Sequence, residues 1–224
     1  MIGYAGRILH KKGIPVLLEA FRKIAPRFPQ AVLAIVGDND GGVHKDLRAE
    51  YQDLALQMGI GERTFFIGFK EDIRPYVSDF DLLALPSVEP ESFGRVLIEA
   101  MAFGIPSVVS AHGGAVEVVR HGLNGLWSIP GDSENLAEAL TRLLADPDLR
   151  REMGRHGASD VYAEFSAVDQ SKRITDILMS LKAQILAYSA SEKRRRKEPR
   201  PAVAPADAIS PSMWKRRRKA LRSN

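Results

Sequence analysis

Short apolar runs along the chain alternate with stretches whose apolar residues recur every three or four positions. Ile2–Ala5 is a short strand-like run. Lys12–Phe28 follows, with Val16, Leu17, Ala20, Phe21 and Ile24 at helical spacing. Ala31–Val36 reads AVLAIV and ends at Gly37, the continuous apolar pattern of a strand buried on both faces. Asp46–Met58 is helical again. Thr64–Ile67, Asp81–Leu85, Ser107–Ser110 and Gly125–Ile129 are further strands, with helical stretches at Asp72–Val77 and Val96–Phe103. Ser133–Leu144 reads as a helix with Ser133 as its N-cap and a stripe of Leu136, Leu140, Leu143 and Leu144. Asp148–Phe165 and Val168–Ala187 complete the helical set. The second has Ile174, Ile177, Leu178, Leu181 and Ile185 on one face.

Strand–helix alternation predicts an α/β domain with a parallel sheet and helices on both faces. In such sheets ligands bind beyond the carboxyl ends of the strands, at helix N-termini. The loops to examine are therefore Gly6–Gly13, Gly37–Gly42, Pro86–Gly94 and Ser110–Gly114.

Composition narrows the picture. Of 224 residues, 45% are hydrophobic and 27% charged, as expected of a folded globular chain. No run approaches the ~18 apolar residues of a membrane-spanning helix, and no secretory signal is evident at Met1–Gly13. The chain has no cysteine, which excludes disulfides, thiolate metal sites and cysteine nucleophiles. These features fit a cytoplasmic location. The net charge of +4 averages two unlike parts. Residues 190–224 carry twelve Lys and Arg against Glu192, Glu198 and Asp207, while the first 189 residues hold 20 basic and 25 acidic, net −5. The basic character belongs to a Pro- and Ala-rich tail expected to be disordered. It gives no argument for nucleic-acid binding by the body. Beside Trp214 and Leu221 the tail's cations are either solvated or a contact for an anionic membrane.

Two features carry chemistry. Gly3-x-x-Gly6-Arg7, with Lys12-Gly13 close behind, lies between the first strand and the first helix. Glycines there allow close backbone approach, and Arg7 and Lys12 bring two cations to one rim, a pairing suited to a diphosphate. Taken alone, the segment is equally a surface loop with solvated charges. The second feature, Pro86 to Ala102, follows a strand and opens a helix. Glu91 falls in the loop, and Glu99 sits in a largely apolar helical segment. A partly buried carboxylate there needs partners, either the hydroxyls of a sugar or a cation of the fold.

At these residues the chain resembles the C-terminal domain of retaining glycosyltransferases of group 1, family 4, which have the GT-B fold. The resemblance runs from about Ile2 to Ala187. It rests on GRILHKKG, VGD at Val36–Asp38, FIGF at Phe66–Phe69, ESFGRVLIEAMAFGIPSVVS with its E-x7-E pair, GGAVEVV at Gly113–Val119 and NGLWSIPGD at Asn124–Asp132. It implies a Rossmann-like domain over 1–165 that binds a nucleoside-diphosphate sugar, with a helix over 166–189 packing on it. Arg7 and Lys12 would bind the diphosphate, beside Gly6. Glu99 would hold the ribose hydroxyls and Glu91 the transferred sugar. Phe93, Gly94, Arg95 and Val96 would offer backbone groups to phosphates and sugar, and the base would pack near Phe66–Phe69. With Arg7, Lys12 and Glu91 as the catalytic set, no metal and no cofactor beyond the donor substrate is required. The resemblance further implies that the chain starts at the first strand of the second of two domains. A missing N-terminal acceptor-binding domain, supplied in cis or in trans, would then be its partner. A lipid-linked acceptor would place the protein at the inner face of a membrane. A non-catalytic nucleotide-sugar-binding subunit and a sugar-nucleotide epimerase are the rival readings.

The remaining candidates are weaker. Asp38 and Asp40 suggest a turn after a strand rather than a metal site. His112 lies at the rim, within reach of phosphate or acceptor. His10, His44, His121 and His156 lack metal-ligand spacing.

Overall fold

A computed structural model of the chain describes residues 1–39 and 46–197. The tail beyond Lys197, Asp40 and His44 lie outside the described residues. The rest divides into two units, Met1–Gln170 and the chain from Ser171 onward.

The first unit is a six-stranded, all-parallel sheet in the order β3-β2-β1-β4-β5-β6. Its strands are β1 (Ile2–Ala5), β2 (Leu33–Val36), β3 (Thr64–Gly68), β4 (Leu82–Leu85), β5 (Ser107–Ser110) and β6 (Gly125–Ser128). β1 lies at the centre. Ile2 through Ala5 align with Leu33 through Val36 on one side, and Ile2 and Gly3 align with Leu82 and Leu83 on the other. All four residues of β1, β2, β4 and β5 are buried. Covering both faces of a parallel sheet with helices removes the polar side of each strand, hence the uninterrupted apolar runs of β2 and β4, while β5 also buries Ser107 and Ser110.

The connecting helices are α1 (Ile14–Ile24), α2 (Leu47–Gln57), α3 (Arg74–Val77), α4 (Arg95–Ala102), α5 (Ala115–Val118), α6 (Ser133–Ala145) and α7 (Pro147–Glu164). The longer ones bury apolar positions at helical spacing. On α1 the buried positions are Ile14, Leu17, Leu18, Ala20, Phe21 and Ile24. Burying side chains of this size is worth about 1.5–3 kcal/mol each. The guanidinium of Arg63 donates to the carbonyls of Ala25 and Phe28, closing the C-terminal end of α1.

Several element ends shift by one to four residues from the pattern in the sequence, and three differences have a clear physical reason. The N-cap of α6 is Asp132, not Ser133: its carboxylate accepts from the backbone N–H groups of Glu134 and Asn135 at 2.9 and 3.0 Å. A carboxylate there also faces the positive end of the helix dipole, which a hydroxyl answers less well. α5 is a single short turn inside GGAVEVV, too brief to show periodicity. The last helix, α8 (Ala167–Lys197), runs past Ala187 and eight residues into the segment read as tail. Lys and Arg are good helix formers, and the first proline in that segment is Pro199. Ile174, Ile177, Leu178, Leu181 and Ile185 of α8 are exposed. Among the described residues no helix is long and apolar enough to cross a membrane.

Candidate functional site

Strand order reverses between β1 and β4. The connection after β1 crosses one way to β2, and that after β4 crosses the other way to β5. The loops leaving the carboxyl ends of these two strands therefore separate and leave a crevice. A cavity of about 580 Å³ occupies it. Its walls contain the nine residues expected to hold the nucleotide sugar: Gly6, Arg7 and Lys12 after β1, and Glu91, Phe93, Gly94, Arg95, Val96 and Glu99 after β4.

Two glycines shape the walls. Gly13, at φ 68°, caps α1, and a Cβ there would lie 2.0 Å from the carbonyl oxygen of Pro86. This contact brings the β1–α1 loop against the β4–α4 loop. The same junction is pinned where Val88 N–H donates to Lys11 O at 2.8 Å. Gly94, at φ 73°, is the N-cap of α4, where an L side chain is strained. No side chain caps α4, and its opening residues Gly94, Arg95 and Val96 line the crevice, where the helix dipole favours an anion.

Lys12 and Glu91 meet in an ion pair through Nζ and Oε2. Their side chains are only 16% and 14% exposed, which separates this pair from ordinary surface pairs. The buried Ser87 hydroxyl donates to the same Oε2 at 3.1 Å. Burial opposes ionisation of Glu91. The Lys12 ammonium, the Ser87 hydroxyl and the Ser92 backbone N–H outweigh it, and the carboxyl is held below the usual carboxylate range. The cavity thus holds a fixed anion against a fixed cation.

Tyr4 lies under the Arg7 loop. It is fully buried, and its hydroxyl donates to the Arg7 carbonyl at 2.8 Å. Burial, then the charge of Glu91 and the neighbouring Tyr51, push the phenol above its ordinary range, against the smaller opposing effect of Arg7. Glu99 is partly buried, as its apolar surroundings imply, with Arg95 3.7 Å away on the next turn. Arg95 is largely exposed, so the contact is weak and solvent-screened. Phe93 packs edge-to-face on Phe165 at a centroid distance of 6.0 Å.

The far wall comes from the ends of β2 and β3: Val36, Gly37, Asp38, Phe69, Lys70 and Ile73. Asp38 serves as a brace. Its carboxylate accepts from Asn39 N–H and from Arg48 Nη1 at 3.1 Å, while Arg48 Nη2 donates to Phe66 O. Among the described residues no group of three or more His, Asp or Glu could hold a metal ion. The Ser110–Gly114 loop backs the site rather than lining it. His112 Nε2 bonds Ser87 O at 2.8 Å, and Gly114 N–H donates to Glu91 O at 2.6 Å. Tyr4, Ser87 and Lys70 are among the site residues to which the sequence alone gave no role. Lys70 follows FIGF directly, and that position was its one available signal.

Comparison with known proteins agrees with this geometry. The model of the family described as glycosyl transferases group 1 matches residues 1–160. An uncharacterized glycosyltransferase of Methanocaldococcus jannaschii is 34% identical over 179 residues, covering 79% of this chain and 44% of its own length. Among solved structures, Anabaena HepE in complex with UDP superposes with a TM-score of 0.75 at 32% identity, over 80% of this chain and 48% of HepE. The C-terminal domain of the group 1 glycosyl transferase LpcC from Francisella tularensis matches with a TM-score of 0.68 at 26% identity, over 74% of this chain and 86% of that domain. The chain spans less than half the length of the curated relatives it matches. The Rossmann-like fold found here is one half of the GT-B architecture. The family match runs through every loop that builds the crevice, and the chain belongs to the group 1 glycosyl transferases.

Proposed function

We propose that this chain is the donor-binding half of a retaining hexosyltransferase that takes a sugar from a nucleoside-diphosphate sugar. The observation that carries the reading is the convergence of Arg7, the Lys12–Glu91 pair and the uncapped N-terminus of α4 on one crevice at the switch point of the sheet. HepE, which shares the fold at 32% identity, has a crystal structure in complex with UDP-glucose.

In the proposed reaction the bond between the sugar's anomeric carbon and the β-phosphate oxygen breaks. Its electron pair leaves with the nucleoside diphosphate. The acceptor hydroxyl bonds to the anomeric carbon on the same face, and its proton passes to the departing phosphate. Negative charge grows on the leaving group, so stabilisation is needed there. Arg7 and Lys12 supply fixed cations, and α4 supplies oriented N–H groups from the Gly94–Val96 segment. Donors preorganised in this way are each worth roughly 10²–10³ in rate. These two cations do the neutralising work for which other transferases recruit a divalent metal. Glu99 takes the ribose hydroxyls, Glu91 the transferred sugar, and Phe69 with Lys70 the end of the crevice that receives the base.

The acceptor wall belongs to a second domain. Closing the cleft aligns acceptor and donor, and alignment of this kind accounts for ~7–11 kcal/mol of barrier lowering. The test is release of nucleoside diphosphate from a panel of nucleotide sugars, with and without an N-terminal group 1 domain in cis or in trans. The 224 residues alone should bind donor with at most slow hydrolysis, and transfer should appear with the partner. Robust transfer by the chain alone would reject the two-domain reading.

A further inference from the structure

The Lys12–Glu91 pair raises a difficulty for any diphosphate in this crevice. Lys12 is the cation that should meet phosphate, yet its ammonium is already held by a carboxylate. A diphosphate contacting Lys12 brings two or more negative charges beside Glu91. In a site this secluded the repulsion is only partly screened.

The Glu91 backbone is anchored. It forms a bridge to Gly113, and its carbonyl accepts from Gly114 N–H at 2.6 Å. A Cβ on Gly113 would lie 2.6 Å from Glu91 N, so the two strands of chain are in direct backbone contact. The carboxylate is held from the other side by the Ser87 hydroxyl, and the Ser87 carbonyl is bonded to His112. An anchored backbone and the Ser87 hydroxyl both favour keeping the carboxylate beside Lys12, where the proposed diphosphate arrives. Sugar hydroxyls are donors, and hydroxyls brought to Glu91 compensate the carboxylate that a bare diphosphate leaves exposed to its own charge.

From this geometry we infer that Glu91 sets the specificity of the crevice for sugar-bearing over bare nucleoside diphosphate, opposing the product and accepting the donor. The inference rests on the donor-binding function proposed above. Its consequence is that transfer of the sugar removes the group that made the nucleotide compatible with Glu91, so chemistry itself weakens the hold on the product. Lys12 gains strength toward phosphate only as Glu91 is satisfied by something else.

Calorimetric titration of the 224-residue chain and its E91Q variant, with UDP, GDP, inorganic pyrophosphate, UDP-glucose and GDP-mannose, tests this. The amide keeps the shape and removes the charge. E91Q should bind UDP or GDP, and pyrophosphate, more tightly by roughly tenfold or more, the scale of one charge-assisted hydrogen bond. Binding of the nucleotide sugars should tighten less or weaken, so the preference for sugar-bearing ligands falls. Unchanged or weaker binding of bare nucleotide and pyrophosphate by E91Q would overturn the inference. E91D, whose carboxylate is one methylene further from Lys12, should move in the same direction by a smaller factor, and it decides the matter if circular dichroism shows E91Q unfolded. If neither variant folds, the pair is a structural element and the inference fails. A wild-type chain that binds none of these ligands would instead reject the donor-binding function itself.

Discussion

Arg7 and Glu99 divide the proposed donor between them, and the division makes them separable. In the proposed complex Arg7 faces the diphosphate, so Arg7→Ala should remove a charge-assisted contact of about 1.5–3 kcal/mol from any nucleoside diphosphate. Glu99 lies about one and a half turns into α4, on the ribose side of the proposed donor. Glu99→Ala should weaken UDP or GDP by about tenfold and leave inorganic pyrophosphate unchanged. Equal losses for nucleotide and pyrophosphate in a titration would remove Glu99 from the ribose. Glu91 adds a pH signature. Burial works against its charge, but Lys12, Ser87 and Ser92 N–H depress its pKa in the folded chain. A depressed pKa contributes stability that is complete above the unfolded carboxylate value of about 4.3 and is lost as pH falls through the folded value. Thermal melts from about pH 6 to pH 3 should therefore show wild type and E91Q converging in acid. A gap independent of pH would contradict the pairing. Arg7, Lys12, Glu91 and Glu99 stood out through the family motifs that contain them; charge near glycines alone left a solvated surface loop equally open. Tyr4 and Ser87 did not stand out. A tyrosine in an apolar strand looks like core, and only the fold shows its hydroxyl reaching the Arg7 carbonyl.

Element positions were legible wherever burial dictates composition. The apolar runs of β1, β2 and β4 are visible because a parallel sheet covered on both faces admits few polar residues. Ends were less legible, since a cap depends on backbone geometry as well as residue type. Ser133 and Asp132 are both good cap residues, and the structure selects Asp132. Asp132→Ala should cost about 1 kcal/mol in chemical denaturation, whereas Ser133→Ala should be near neutral. The reverse order would restore Ser133 as the cap. Gly13 poses a harsher test. Alanine there meets a left-handed backbone and the Pro86 carbonyl together. Gly13→Ala should destabilise the chain by ~3 kcal/mol or more and loosen both walls of the crevice. A variant that melts like wild type would show that the two loops part easily.

At the scale of the molecule, a central β1 beside β4 places both charged loops at one end of the sheet. The alternation of elements predicted this α/β class. It did not predict which loops line the crevice and which only back it, because that depends on strand order. All residues lining the cavity lie within Met1–Gln170. A chain ending at Ala190 should therefore bind nucleotide as the full chain does, despite losing twelve Lys and Arg. A marked loss on truncation would place part of the site elsewhere. The central claim is that this crevice holds a nucleoside diphosphate through Arg7. Calorimetric titration of wild type and Arg7→Ala with UDP and GDP tests it most directly. The account predicts measurable binding of at least one nucleotide by wild type and a roughly tenfold or greater loss in the variant. Absence of binding, or equal affinity in the two proteins, would contradict it.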